Sequence, residues 1–394
     1  MPPYKPGYRE ASMRIIYLDN NATTPVAPAV FEAMRPFFTE HFGNPSSPHR
    51  LGDKPASAVR DARARVASFL GCTDTEVVFT SCGTEANNIA IRGVVDATKG
   101  RHVVTTAVEH SAVLNPAKRL ASLGYEVTTL SVDRGGRLNL DELRNALRDD
   151  TALVSVMFAN NETGVIFPID RVAEIVHARD IPLHVDAVQA VGKVPIDFKA
   201  LGADLVSISA HKFHGPKGVG ALVVRKGTKW TPVFLGGGQE RNRRPGTENV
   251  AGIVGMAAAC DFAESHLAHY QTDVRRLRDR LENELLDRVP DSFVNGIASE
   301  RLPNTSSIGF QGVDAHALLV LLDEVGICVS AGSACKSGAG LPSHVLAAMG
   351  LAPEEAGSSL RFSLCALTSE DDVTYCIDQV PAIVARMRRN FISA

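Results

Sequence analysis

A lysine in the segment SISAHKFHGPKGVG (Ser207 to Gly220) stands where an apolar run stops and a glycine-rich turn begins. Lys212 sits at the carboxyl end of a strand, and a lysine held in a semi-buried pocket loses part of its preference for the charged form. An amine so prepared can form a Schiff base with an aldehyde cofactor. Taken alone, the segment fits a plain surface lysine even better, and its glycines match neither a Walker loop nor a dinucleotide fingerprint. A second strand end, HVDAVQA, carries Asp186 with Gln189 three residues later. A buried carboxylate needs a cationic partner. In a pyridoxal phosphate (PLP) site that partner is the ring nitrogen, and Gln189 could donate to the phenolic oxygen. Standing alone, Asp186 would more simply cap the next helix.

Two further strand ends add candidates. In SCGTEANN, Gly83 and Thr84 open a helix whose first amides suit a phosphate, although a plain Thr84 cap fits as well. In VEHSAVL, His110 follows the run HVVTT, where an imidazole could stack on an aromatic ring or move a proton. A lone histidine is more often structural. His211 and His214 have no evident third ligand, so no metal site is expected and His211 is better used on phosphate.

The seven cysteines are odd in number and contain no C-x-x-C pair, which argues against a disulfide framework or a thiolate zinc site. Cys260 and Cys328 read as buried, Cys376 belongs to the last helix, Cys365 ends the run LRFSL, and Cys72 sits in a helix-ending turn. Cys335 differs, because SAGSACKSG is a run of small residues suited to a loop tip from which a thiol can reach a cleft. An incidental loop cysteine is the alternative. Arg361 lies within the apolar run SSLRFSL and needs an anion, either a substrate carboxylate held bidentately or a structural ion pair.

These residues need a scaffold that brings strand ends together. Apolar, β-branched runs at 77–80, 102–106, 153–159, 182–187, 205–209 and 220–224 alternate with segments of helical period. That rhythm predicts an α/β fold with a mostly parallel sheet covered by helices, and ligands at the carboxyl ends of its strands. The glycine-rich stretch Gly236 to Asn249 reads as a domain exit before a helical segment from Val250 to about Val289, and the rest suits a smaller α/β unit. Residues 1–12 are expected to be a leader without structural role. Lys and Arg total 41 against 44 Asp and Glu, a net charge of −3, so neither nucleic acid nor a membrane surface is an expected partner. No apolar stretch approaches a membrane span and no signal-peptide core is present, which makes the cytoplasm the default compartment.

The ordered motifs LDNNATTPV, FGNPSSPH, FTSCGTEANN, VEHSAVL, ANNETGV, HVDAVQ, SAHK, RPGTEN, GSAC and LRFSL resemble the cysteine desulfurases of the aminotransferase class V family. The resemblance implies PLP as cofactor and the PLP-dependent transferase fold type I. That fold has a large domain (28–269) with a mostly parallel seven-stranded sheet, and a smaller α/β domain (13–27 and 270–394). It implies Lys212 as the cofactor lysine, His110 on the ring, Asp186 at the ring nitrogen and Gln189 at the ring hydroxyl. Gly83, Thr84, Ser209 and His211 would surround the phosphate, and Asn161 and Arg361 would meet the carboxylate of L-cysteine. Thr247 would reach the cofactor of a neighbouring subunit, which makes a homodimer the expected assembly. The GSACKSG loop looks like the long-loop group, in which the loop cysteine, here Cys335, takes sulfur as a persulfide and passes it to a scaffold protein for iron–sulfur cluster assembly. A selenocysteine lyase or related PLP β-lyase is the nearest alternative. Cys82, Cys365 and Lys336 depart from the family pattern: Cys82 replaces a glycine in the phosphate turn, Cys365 a small residue, and Lys336 a threonine.

Overall fold

The computed structural model describes residues 14–332 and 343–392. The predicted leader, and the loop cysteine Cys335 with Lys336, lie outside the described residues. A short strand, β1 (Ile16–Tyr17), precedes seven that form one sheet: β2 (Val77–Thr80), β3 (His102–Thr106), β4 (Glu126–Leu130), β5 (Thr151–Met157), β6 (Leu183–Asp186), β7 (Leu205–Ser209) and β8 (Gly220–Val224). Their order is β2-β8-β7-β6-β5-β3-β4. Only β8 runs antiparallel to its neighbours, so β2 and β7, which flank it, point the same way as β6, β5 and β3. All residues of β2, β3, β5, β6, β7 and β8 are buried, as expected for strands covered on both faces, and this is why they read as unbroken apolar runs. Edge strand β4, EVTTL, is partly exposed and escaped the sequence reading because its threonines and glutamate dilute the run.

Helices cover the sheet: α1 (Arg50–Leu70), α2 (Gly83–Ala97), α3 (Ser111–Ser122), α4 (Ile169–His177) and α5 (Val250–His269). α1 stops where Gly71 adopts φ +70°, a left-handed conformation that glycine enters without cost. α2 buries Ala86, Ile89, Ala90, Gly93 and Val94, one stripe at helical spacing. The stretch Gly236 to Asn249 is no exit from this unit. The Glu240 carboxylate receives both Arg63 nitrogens at 2.5 and 2.8 Å and the Phe79 amide at 2.9 Å, which ties the segment to the sheet. α5 then packs along α1 and contributes Met256, Ala259 and Ala263 to the same apolar core.

The helical path continues through a wide turn at Tyr270–Val274 into α6 (Arg275–Arg288), and at Tyr270 the side chains join a second apolar core. That core gathers Ile16 and Leu18, the antiparallel strands β9 (Ser292–Val294), β10 (Thr305–Phe310) and β12 (Ser359–Ser363), the pair β1 and β11 (Ile327–Cys328), and the final helix α7 (Glu370–Ile392). Val345, Leu346 and Met349 return to the first core. Cys328, expected to be buried, is only partly so, because β11 is a two-residue strand in a sheet of two strands.

Candidate active site

The carboxyl ends of β2, β3, β5, β6 and β7 converge on a cavity of about 210 Å³. Lys212 reaches it because β7 ends at Ser209 and the next three residues form a single 3₁₀ turn. Its Nζ donates to the backbone carbonyls of Asn21 at 2.6 Å and Ala22 at 2.8 Å. Asp186 closes β6 and is 6% exposed; its carboxylate accepts from Asn87 Nδ2 at 2.6 Å and from the Val188 amide at 3.0 Å. No salt bridge among the described residues engages it, and it lines the same cavity as Lys212 and His110. His110 lines the same space as the N-cap of α3, its Nδ1 accepting from the Ala112 amide at 3.1 Å. Burial pushes its pKa down. The nearby Lys212 charge pushes the same way and Asp186 opposes it, so the ring is disposed to be neutral and able to take up a proton.

The opposite requirement, an anion, appears at the start of α2. Gly83 opens that helix after an extended Cys82, and a Cβ at Gly83 would stand 2.7 Å from Val188 Cγ2, so only glycine keeps this corner open. Thr84 is exposed at the mouth, and Cys82 also lines the cavity. Ser209, 1% exposed, has an Oγ without a hydrogen-bond partner. A buried orphan hydroxyl beside a helix N-terminus calls for an acceptor-rich ligand. His211 completes this wall; burial and the charges of Lys212 and Lys217 lower its pKa to about 4, so it is neutral at physiological pH.

The donor set fits PLP on these grounds: an amine for the aldehyde, a carboxylate for the ring nitrogen, and an orphan hydroxyl with helix amides for the phosphate.

Asn161 lines the cavity after β5, whereas Arg361 stands just behind it. Arg361 is 3% exposed and donates to the Asn161 carbonyl at 3.0 Å and to Asp19 Oδ1 at 2.5 Å, while its Nε is buried without a partner. The structure thus pairs Arg361 with a protein carboxylate and leaves one donor unused. Thr247 is exposed in a separate pocket with Arg244 and Glu240, away from this cavity. The described residues on either side of the Cys335 segment meet at Glu162, next to Asn161. Ser343 Oγ donates to Glu162 Oε2 at 2.5 Å, and a Cβ on Gly332 would lie 3.4 Å from Ser343 and 3.7 Å from that oxygen.

Sequence reasoning missed a polar knot behind the cavity. Asn21, 1% exposed, accepts Gln189 Nε2 on its carbonyl at 2.9 Å and Lys193 Nζ on its side chain at 3.1 Å. The only signals were an asparagine pair in LDNNATT and a lysine within an apolar turn.

The aminotransferase class-V family model matches residues 16–376. The cysteine desulfurase of Trichormus azollae is 52% identical over 380 residues, covering 95% of this chain and 94% of that protein. The cysteine desulfurase NifS of Azotobacter vinelandii is 49% identical over 378 residues, with 95% and 94% covered. Among solved structures, a NifS-like protein superposes with a TM-score of 0.89 at 39% identity, covering 95% of this chain and all of that one. A match this long, with the strand-end cavity beneath it, leaves one conclusion: the chain belongs to the aminotransferase class-V family.

Proposed function

We propose that this protein is a cytoplasmic PLP-dependent cysteine desulfurase that converts L-cysteine to L-alanine and leaves the sulfur as a persulfide on Cys335. The observation that carries the reading is one cavity holding the Lys212 amine, the Asp186 carboxylate and the orphan Ser209 hydroxyl beside the Gly83 helix start. Bound PLP would supply an electron sink through its protonated ring nitrogen. Asp186 would keep that nitrogen protonated, and Gln189 would offer its amide to the ring oxygen. Lys212 would hold the aldehyde of the cofactor, and its amine would take the proton from the substrate Cα. Asn161 and the spare Nε of Arg361 orient the substrate carboxylate. The Cys335 thiolate attacks the substrate sulfur: an S–S bond forms, the C–S bond breaks, and the electron pair stays with the carbon fragment. His110, disposed to be neutral, carries the proton exchanged at this step.

Several finer assignments belong to the same proposal. The persulfide sulfur passes to an acceptor protein for iron–sulfur cluster assembly, as the GSAC loop suggests. A homodimer is supported by exposed Phe38, Phe42 and Leu235, and by Thr247 standing clear of its own chain's cavity. No described helix is long and apolar enough to cross a membrane. The division into 28–269 and 13–27 with 270–394 is supported by the change of apolar core between Ala263 and Tyr270.

The test is a pair of variants assayed for alanine and sulfide together. Cys335→Ala keeps the visible absorbance of bound PLP and still binds cysteine, but releases no sulfide. Lys212→Ala loses turnover altogether. Full sulfide release by Cys335→Ala would overturn the thiol assignment.

A further inference from the structure

Behind the cavity lies a lysine that the reaction just described does not use. Lys193 is 1% exposed, in the turn that follows β6, four residues after Gln189. Gly192, at φ +78°, makes that turn; a Cβ there would stand 2.7 Å from Phe213 Cβ. The Lys193 backbone is held at both ends, its amide donating to the Ala190 carbonyl at 3.0 Å and its carbonyl accepting Gln271 Nε2 at 2.6 Å. Its Nζ donates to Gln189 Oε1 at 2.9 Å and to Asn21 Oδ1 at 3.1 Å. Burying a lysine amine is costly, and two hydrogen bonds to neutral amides do not make it a bulk-stabilising choice over a methionine of similar length.

What the amine does accomplish is directional. A carboxamide has a donor end and an acceptor end, and its orientation follows from its partners. Lys193 donates to Gln189 and so takes its oxygen. The Asn21 carbonyl, which can only accept, takes its nitrogen at 2.9 Å. That same carbonyl also receives the Lys212 amine at 2.6 Å, so Gln189 Nε2 and Lys212 Nζ share one acceptor at the cavity wall. The hydrogen bond from Lys193 is the only one to Gln189 Oε1 among the described residues. Without it, that oxygen would be buried and unpaired, and the amide would gain by turning or drifting toward another donor.

We propose that Lys193 is a positioning residue of this site, gripping the oxygen of Gln189 so that the amide presents an N–H, rather than a carbonyl, to the cavity. The inference rests on the PLP reading, in which that N–H meets the ring oxygen. A donor to this oxygen favours its ionised form, so losing the donor raises the pH at which the bound cofactor changes colour.

The experiment is a pH titration of the visible absorbance of the purified, PLP-loaded protein in a double-mutant cycle. Lys193→Met and Gln189→Ala are each expected to raise the midpoint by about half a pH unit or more, the scale of one lost hydrogen bond. Adding Lys193→Met to Gln189→Ala is expected to move it no further than about 0.2 unit. The titratable groups around Lys193 are Lys212, Arg361 and the Cys365 thiol, and none is altered in the cycle. A direct electrostatic effect of Lys193 on the cofactor would shift the midpoint equally in the Gln189→Ala background, and that result overturns the proposal. So does a loss of melting temperature in Lys193→Met with no change of midpoint. Should Lys193→Met fail to fold, Lys193→Gln, one bond shorter and still polar, is read by the same cycle. A wild-type protein that shows no visible band with PLP overturns the cofactor reading and this inference together, whereas a normal band with an unmoved midpoint overturns this inference alone.

Discussion

Replacing Glu109 by glutamine should stabilise the protein, and more so as the pH rises. Glu109 is 0% exposed. Its Oε1 accepts from the Met157 amide at 2.8 Å and from Thr106 Oγ1 at 2.9 Å, while Oε2 is buried without a partner. Burial first, and then the charge of Asp186, push its carboxyl up to about 8, against the two hydrogen bonds that favour the ion. The group is therefore protonated in the native state at pH 7 and ionised in the unfolded chain. Because the native value is the raised one, the stabilisation is complete below about 4.5 and is lost as the pH climbs toward 8. Over the 2.5 units from 4.5 to 7, at 1.36 kcal/mol per unit, the loss is about 3 kcal/mol, and it approaches about 5 kcal/mol by pH 8.5. Glutamine keeps the acceptor for Met157 and Thr106 and does not titrate. Urea unfolding of both full-length proteins, in the same cofactor state, is expected to give similar stability at pH 5 and a growing advantage for Glu109→Gln at pH 7 and 8.5. Parallel pH profiles would refute the argument, since they would mean that the carboxyl finds a partner or water in solution.

Two other expectations follow from buried charge. Burial lowers the ring of His184 to about 3, and those of His211 and His214 to about 4. Their native values are depressed, so their contribution is complete above about 6.5 and is lost as the pH falls toward 4, by up to about 1.4 kcal/mol per unit for each ring. Measured in the Glu109→Gln background, where the opposing carboxyl is silent, urea midpoints should fall between pH 6.5 and 4.5, before ordinary carboxylates titrate; a flat profile there would show that the rings are solvated. Glu240→Ala removes the partner of Arg63 and strands the Phe79 amide, at an expected cost of about 3–5 kcal/mol. Glu240 also sits at φ +49°, so Glu240→Gly should cost about 1 kcal/mol less than the alanine variant in the same unfolding assay.

How far the sequence could be read depended on whether a residue's role was written in its neighbours. Lys212, Asp186, His110 and Gly83 each close or follow an apolar run, and the strand-end rule for parallel sheets is enough to gather them. β4 was not legible, because an exposed edge strand carries no continuous apolar signal. The glycine-rich stretch before α5 misled for a different reason. Its flexibility is cancelled by one ion pair between Glu240 and Arg63, residues 177 positions apart. Lys193 and Asn21 were invisible for the same reason: their partners come from β6's turn, the chain's start and β10, and no local pattern announces such a meeting. The resemblance supplied the seventh strand and the roles of Asn161 and Thr247, which composition and spacing did not.

The pairing of Ile16 with Ile327 has a consequence for how the molecule is made. A ribosome adding about 5–20 residues per second needs roughly 15–60 s to reach the partner of that first strand. In that interval every strand of the central sheet, and α6, β9 and β10 of the second core, have been synthesised, while Ile16 has no strand partner. A translation product stopping short of β11 would therefore leave the backbone of β1 without the strand that pairs with it.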